Sequence, residues 1–403
     1  MSYSISLQYM IVDKDSLQVK SVSDELLKHE LGEYGSESEN GMITWSKENV
    51  LHAIELRSTK TESNFNTLEN GFVDNVRLIN KILTQWNAVL LPTACHPLMN
   101  PVTETKLWPH DNQEVIDAHQ QLFNFQSHSW SNVQRTLVRV PFKNDSEFGK
   151  LHAAIRVLMP LLPAICASSP LIEGKLTGYL QTTLSYYKSN SLRIPSLTEK
   201  LIPEPIFFRR NYEENVYKKI KKDVAPFNDG NVLKPTELNF RGAVPQFDNG
   251  RIEIRIIDMQ ECPAADLAII ALITETLKAL VSEKFAPMED LQEAFTDALA
   301  GILDDTAQHG QGTAIYSTEY SSLFGINSFI TPKELWHHIY ETLVKKGNTA
   351  LERWEPELSI ILEQGTLSDR IVKELRGDLS EGSIKKVYRE LSDCLVQNKM
   401  FIP

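Results

Sequence analysis

At 403 residues, 42% of them hydrophobic, the chain is long enough to bury a large core without a disulfide or metal staple. Its four cysteines, Cys95, Cys166, Cys262 and Cys394, are widely spaced with no C-x-x-C pair, which argues against a disulfide framework or zinc site and fits a reducing cytoplasm. A formal net charge of -12 without a long basic stripe speaks against nucleic acid as the main partner, and no window approaches the apolar length of a membrane span or a secretory leader.

Residues 4–12 alternate as a strand, and Asp13-Lys14-Asp15-Ser16 reads as the turn that ends it. Residues 32–41 form a polar loop, and 52–59 make a second strand. Over 66–86, Leu68, Phe72, Val73, Val76, Leu78, Ile79 and Ile82 recur at the spacing of an amphipathic helix. A short buried strand over 88–93 leads into a loop holding His96-Pro97. Residues 133–142 alternate again, and 145–167 read as a long apolar helix that Pro160 and Pro163 should kink or divide. Residues 195–205 are a proline-rich connector, while Lys218-Lys219-Ile220-Lys221-Lys222 reads as a solvated helix face rather than a binding patch. Strands over 242–247 and 251–259 flank Asn249-Gly250, a pair that tolerates positive φ and favours a tight hairpin turn. Beyond Pro263 the pattern is helical, most clearly over 264–284, 288–305, 333–346 and 384–397. The expected fold is α+β in a single domain over 1–403, with 264–403 its helical C-terminal part.

Arg251-Ile252-Glu253-Ile254-Arg255-Ile256-Ile257-Asp258 carries the most chemistry. Period-2 alternation places Arg251, Glu253 and Arg255 on one face and Ile252, Ile254 and Ile256 on the other. An acid between two cations suits a metal ion and the phosphates it neutralises, and equally suits ordinary ion pairs with a neighbouring strand. Glu55, between Ile54 and Leu56, reads either as a metal ligand or as the partner of Arg57 or of a charge on the next strand. His96 before a proline reads as a turn residue, a satisfied core histidine or a ligand.

Several phrases then recur in order: Tyr9-Met10-Ile11-Val12-Asp13, His52-Ala53-Ile54-Glu55-Leu56, His96-Pro97, Leu107-Trp108-Pro109-His110 and Leu151-His152-Ala153-Ala154-Ile155-Arg156. They continue through Ala167-Ser168-Ser169-Pro170, Ile202-Pro203-Glu204-Pro205 and Arg241-Gly242-Ala243 with Phe247-Asp248, and end in the stretch 252–266. As an ordered set they resemble the glutamate-cysteine ligase family of the second type, carboxylate-amine ligases whose fold is related to glutamine synthetase. The resemblance implies an antiparallel sheet with a concave active-site face and helices outside. It also implies ATP and Mg²⁺ as cofactors, an amino acid as substrate, and amide formation through an acyl phosphate. Glu55 and Glu253 match the family's metal-binding positions, Arg255 a catalytic, phosphate- or substrate-binding arginine, and His96 a loop histidine.

The departures from the family fall where the chemistry should be. Its first strand carries G-x-E-x-E, and this chain has Ser4-Ile5-Ser6-Leu7-Gln8, so two acids become Ser6 and Gln8. A histidine and an asparagine of the 134–142 strand become Leu137 and Arg139, and an Asp-x-Arg becomes Gln181-Thr182-Thr183, with Thr183 at the arginine position. Gln246 stands where an arginine precedes Phe-Asp. Losing two carboxylates should weaken Mg²⁺ binding severely, whereas Arg135 and Arg139 restore positive charge and favour an anionic ligand held without metal. Three functions are therefore expected: an ATP- and Mg²⁺-dependent carboxylate-amine ligase, a catalytically impaired paralogue that keeps the fold as a binding or partner subunit, or a changed ligase that uses fewer metals and another substrate. The expected partners are an amino acid and a nucleotide, with a second copy or a homologue as a protein partner, and neither nucleic acid nor membrane.

Overall fold

The computed structural model describes residues 2–228, 230, 232–345 and 347–403. Alternation in the first strand, β1 (Ser4–Asp13), sends Ile5, Leu7, Tyr9 and Ile11 to one side, where all are buried, and Ser4, Ser6 and Gln8 to the other. The further strands are β2 (Glu37–Asn40), β3 (Ile43–Lys47), β4 (Ala53–Ser58), β5 (Ala88–Leu91) and β6 (Arg135–Pro141), then β7 (Leu171–Ile172), β8 (Lys175–Leu176), β9 (Ala243–Gln246) and β10 (Arg251–Asp258). Among the described residues one antiparallel sheet runs β2-β3-β4-β1-β6-β10-β9, with β5 paired to the far end of β1, and β7-β8 form a separate small hairpin.

The apolar face of this sheet is covered by the helices Phe65–Leu83, Asp145–Leu158 and Pro263–Val281. Ile5, Leu7, Leu56, Val138, Ile252 and Ile254 from the strands pack with Phe72, Leu151, Ile155 and Leu267 from the helices in the main core. Each such aliphatic side chain, fully buried, contributes about 2 kcal/mol. The opposite face is treated differently along its length. At the far end of β1, Met10 and Val12 are covered by Ile371 of the helix Leu367–Leu375 and by Ile384, Val387 and Leu391 of the helix Glu381–Gln397. The Ser4–Gln8 end has no part in that cluster, and it carries the polar side chains.

Most expected elements form within a few residues of their predicted bounds. The prolines divide the 145–167 helix into Asp145–Leu158, a short turn Met159–Leu161 and Pro163–Cys166. The 288–305 helix is broken instead into Met288–Glu293 and Thr296–His309, because Ala294 and Phe295 have extended ψ. The polar loop expected over 32–41 contains the edge strand β2, and β3 follows it. In the β9–β10 turn only Gly250 has positive φ, at 60°, while Asn249 belongs to the 3₁₀ turn Phe247–Asn249. The helix predicted to end at Lys346 spans Pro332–Lys345, and Lys346 itself lies outside the described residues.

Candidate functional site

Strand register assembles the open face. Gln8 lies opposite Glu55, and Ser6 lies opposite Arg57 on one side and Leu137 on the other. Arg139 lies opposite Ser4 and Glu253, and Arg251 opposite Gln246. Because directly opposed residues share a face, six of the positions singled out in the sequence, Ser6, Gln8, Glu55, Leu137, Arg139 and Glu253, come together there, with Gln246 and Arg255 beside them.

Glu253, 4% exposed, sits between two guanidinium groups. Arg255 Nε donates to its Oε1 at 2.6 Å, and Arg139 Nε lies 2.6 Å from Oε2, which also accepts from Gln246 Nε2 at 3.2 Å. Burial alone would raise the Glu253 carboxyl, but Arg255 and Arg139 outweigh it and hold the group below the usual carboxylate range. Burial likewise opposes charge on Arg255, and Glu253 more than offsets this and raises its pKa. Arg255 is steadied further by Nη1 donating to Asn239 O at 2.8 Å.

The clamp continues across the sheet. Arg139 Nη1 donates to Ser6 Oγ at 2.9 Å, and Ser6 Oγ donates to Glu55 Oε1 at 2.8 Å. Gln8 accepts from the Arg135 backbone N–H at 3.0 Å and donates through Nε2 to Glu48 Oε1 at 2.8 Å. Glu48, on the loop between β3 and β4, escaped the sequence reading, since a loop position has no periodicity to mark it. Burial first, and the Glu55 carboxylate second, push the Glu48 carboxyl up to about 8.

Other expected site residues lie elsewhere or are committed. His96 is buried in the loop after β5, where Nε2 meets Leu17 O at 2.7 Å and Nδ1 accepts from Leu98 N at 3.1 Å. Burial pushes it down to about 4, so it is a neutral imidazole with both nitrogens engaged, and among the described residues no hydrogen bond links it to the open face. Thr183 Oγ1 and Gln181 Nε2 donate to Asp258 Oδ1 at 2.5 and 3.1 Å, and Ser169 Oγ and Ser168 N donate to Oδ2 at 2.7 and 3.0 Å. The Gln181-Thr182-Thr183 departure thus supplies hydrogen bonds to a buried acid. Leu137 is buried beside Ser6 and offers no polar atom.

Glu48, held by Gln8 Nε2, is the acid that joins the expected set, while the other nearby acids are committed elsewhere. Asp258 is occupied as described, Glu204 is paired with Arg241, and Asp111 accepts from Trp108 Nε1 and Ser36 Oγ and pairs with Lys47. Among the described residues no group of three or more His, Cys, Asp or Glu side chains is placed to hold a metal ion. The face is instead basic at its edge. Ser4, Arg57, Lys60, Arg139, Gln246 and Arg251 line a groove of about 760 Å³, with Arg57 paired to Glu37 at 3.1 Å and Arg139 to Glu253. Arg57 and Lys60 were missed as site residues, although Arg57 follows Glu55 at the period-2 spacing that puts both on one face. Arg135 extends the positive face, its guanidinium 4.6 Å from the Tyr187 ring centroid.

The family model for glutamate-cysteine ligase family 2 matches residues 9–301. An uncharacterized protein of Archaeoglobus fulgidus is 26% identical over 397 residues, covering 97% of this chain and 98% of its own length. Among solved structures, glutamate–cysteine ligase from Francisella tularensis in complex with AMP is similar with a TM-score of 0.59 at 12% identity, over 98% of this chain and 88% of that one. A bifunctional glutathione synthetase from Pasteurella multocida gives a TM-score of 0.61 at 9% identity, over 97% of this chain and 52% of that one. At these identities the two structures establish a shared fold. Among the described residues no helix is long and apolar enough to cross a membrane.

Proposed function

The chain belongs to glutamate-cysteine ligase family 2, and on that premise we propose that its basic sheet face binds the two anions that carboxylate-amine ligation brings together, nucleotide phosphate and substrate carboxylate. The observation that carries this reading is the groove of about 760 Å³ lined by Arg57, Lys60, Arg139 and Arg251, where Arg57 is also paired with Glu37 and Arg139 with Glu253. Its size suits a nucleotide, and arginine forks match phosphate and carboxylate oxygens in charge and shape. The AMP held by the Francisella tularensis ligase supports a nucleotide as one of the two. For ATP-dependent amide formation through an acyl phosphate, Arg139 and Arg251 hold the phosphate and spread its charge, while Arg255 and Gln246 fix Glu253 and through it Arg139.

Magnesium does not fit the donor set of this face. Both oxygens of Glu253 are taken by arginines, one oxygen of Glu55 is taken by Ser6, and Ser6 and Gln8 are neutral. The same clamp favours a second reading, in which the chain binds its anions but serves as a catalytically impaired binding or partner subunit.

Calorimetric titration with ATP, AMP and glutamate tests the first claim. Nucleotide binding should weaken about tenfold in Arg251→Ser, the loss of one charge-assisted contact, and absence of any nucleotide binding in the unaltered protein would remove the reading. ADP release when amino acids and amines are supplied selects the ligase, whereas nucleotide binding without ADP release selects the binding subunit.

A further inference from the structure

Two of the positions where the resemblance expects acidic metal ligands contact one guanidinium, and a third is joined to it through a hydroxyl. Arg139 stands opposite Glu253 on one neighbouring strand and opposite Ser4 on the other, so its backbone is fixed in the middle of the sheet. From there Nε meets Glu253 Oε2 at 2.6 Å, Nη1 reaches Ser6 Oγ at 2.9 Å, and Ser6 relays to Glu55 Oε1 at 2.8 Å. The side chain also forms part of the wall of the basic groove. A guanidinium is permanently charged and planar, and its donors serve several acceptors at once without ordered water.

From this we infer that Arg139 is a built-in cation, filling the ground between Glu55 and Glu253 that a divalent ion would need, so that the face takes phosphate- and carboxylate-bearing ligands without a divalent metal. The inference rests on the reading of the face as an anion site. A hydrated Mg²⁺ entering here would meet two arginines on its would-be ligand Glu253 and would have to break both ion pairs, and Mg²⁺ gives up its water reluctantly. Replacing a metal by a side chain also accounts for Ser6, because a carboxylate there would need a second cation, whereas a hydroxyl accepts from Arg139 and donates to Glu55.

The test separates metal from anion. Mn²⁺ is titrated into the unaltered chain and free Mn²⁺ is read by electron paramagnetic resonance; independently, ATP and inorganic phosphate are titrated with excess MgCl₂ or with EDTA. The expected result is no Mn²⁺ retained at millimolar concentration, and phosphate and ATP affinities that agree within about twofold between the two buffers. Arg139→Ser combined with Ser6→Glu should then retain Mn²⁺ about tenfold or more above the unaltered chain. Arg139→Gln, which keeps hydrogen bonds and removes only the charge, carries the same direction of change should the double variant fail to fold. Stoichiometric Mn²⁺ on the unaltered chain that is lost in Glu55→Gln, or nucleotide binding abolished by EDTA, overturns the inference. So does a folded variant that gains no Mn²⁺. If neither ATP nor phosphate binds in either buffer, the anion reading fails on its own, and the Mn²⁺ titrations still decide the role of Arg139.

Discussion

Two acids on this face titrate in opposite directions, and the reason is whether the cations beside each outweigh its burial. Glu253 has two contacting arginines that do and stays charged, whereas burial first and the Glu55 carboxylate second push Glu48 up to about 8, against the weaker pull of Arg135, the Gln8 amide and Lys47. A carboxyl raised in the folded state holds a proton that the unfolded chain has released, so its contribution to stability is present below the unfolded value of 4.5 and declines as pH climbs through about 8. Charge at the Gln8 end of the face follows the same proton. Glu48→Gln should therefore flatten the alkaline fall in melting temperature. Calorimetric scans across pH 5 to about 9 check this, and identical profiles for the two proteins would show that Glu48 ionises as an ordinary surface acid. Glu253 was legible in the sequence because alternation places it, and its pairing with neighbouring charge was one of the two readings left open. Glu48 was not legible, since its character comes from burial and from Gln8, forty positions away.

At the scale of elements, pattern succeeded where one face is apolar and failed where neither is. β1, β4, β6 and β10 each send aliphatic residues to the core, so their positions and their polar faces could be read directly. β2, Glu-Ser-Glu-Asn, has no apolar face and exists only because β3 offers it hydrogen bonds, which a single sequence does not announce. The hairpin that presents Arg251 and Glu253 depends on one residue. Gly250 has φ of 60°, and a Cβ there would lie 2.8 Å from the backbone oxygen of Phe142. Gly250→Val combines a left-handed β-branched residue with a backbone clash and should cost about 2 kcal/mol. Urea unfolding measures that loss. Phosphate affinity should fall in the same variant, because Arg251 follows the strained residue directly and lines the groove, and an unchanged affinity would detach the turn from the site.

Across the whole molecule, the site strand is tied to the last helices by a contact that no local pattern reveals. Glu261, three residues beyond β10, and Arg370, in the helix Leu367–Leu375, form a fully buried ion pair 109 positions apart. Arg370 Nη1 also donates to Phe401 O at 2.5 Å, and Phe401 N donates to Glu261 Oε1 at 3.2 Å, so three distant segments meet at one carboxylate. The helices held in this way are those that cover Met10 and Val12 and leave only the Ser4–Gln8 end of β1 polar and open. Breaking such a pair from one side strands a buried charge, so Arg370→Met should cost about 4 kcal/mol, and Glu261→Leu a similar amount. The double variant removes both charges together and should recover most of that loss, since well-packed apolar groups often replace a buried pair at little cost. Urea unfolding of the two single variants and the double variant completes the cycle. Recovery in the double variant identifies the pair as a device for register, joining strand to helices, whereas additive losses would show that each side chain stabilises the fold through its own separate contacts.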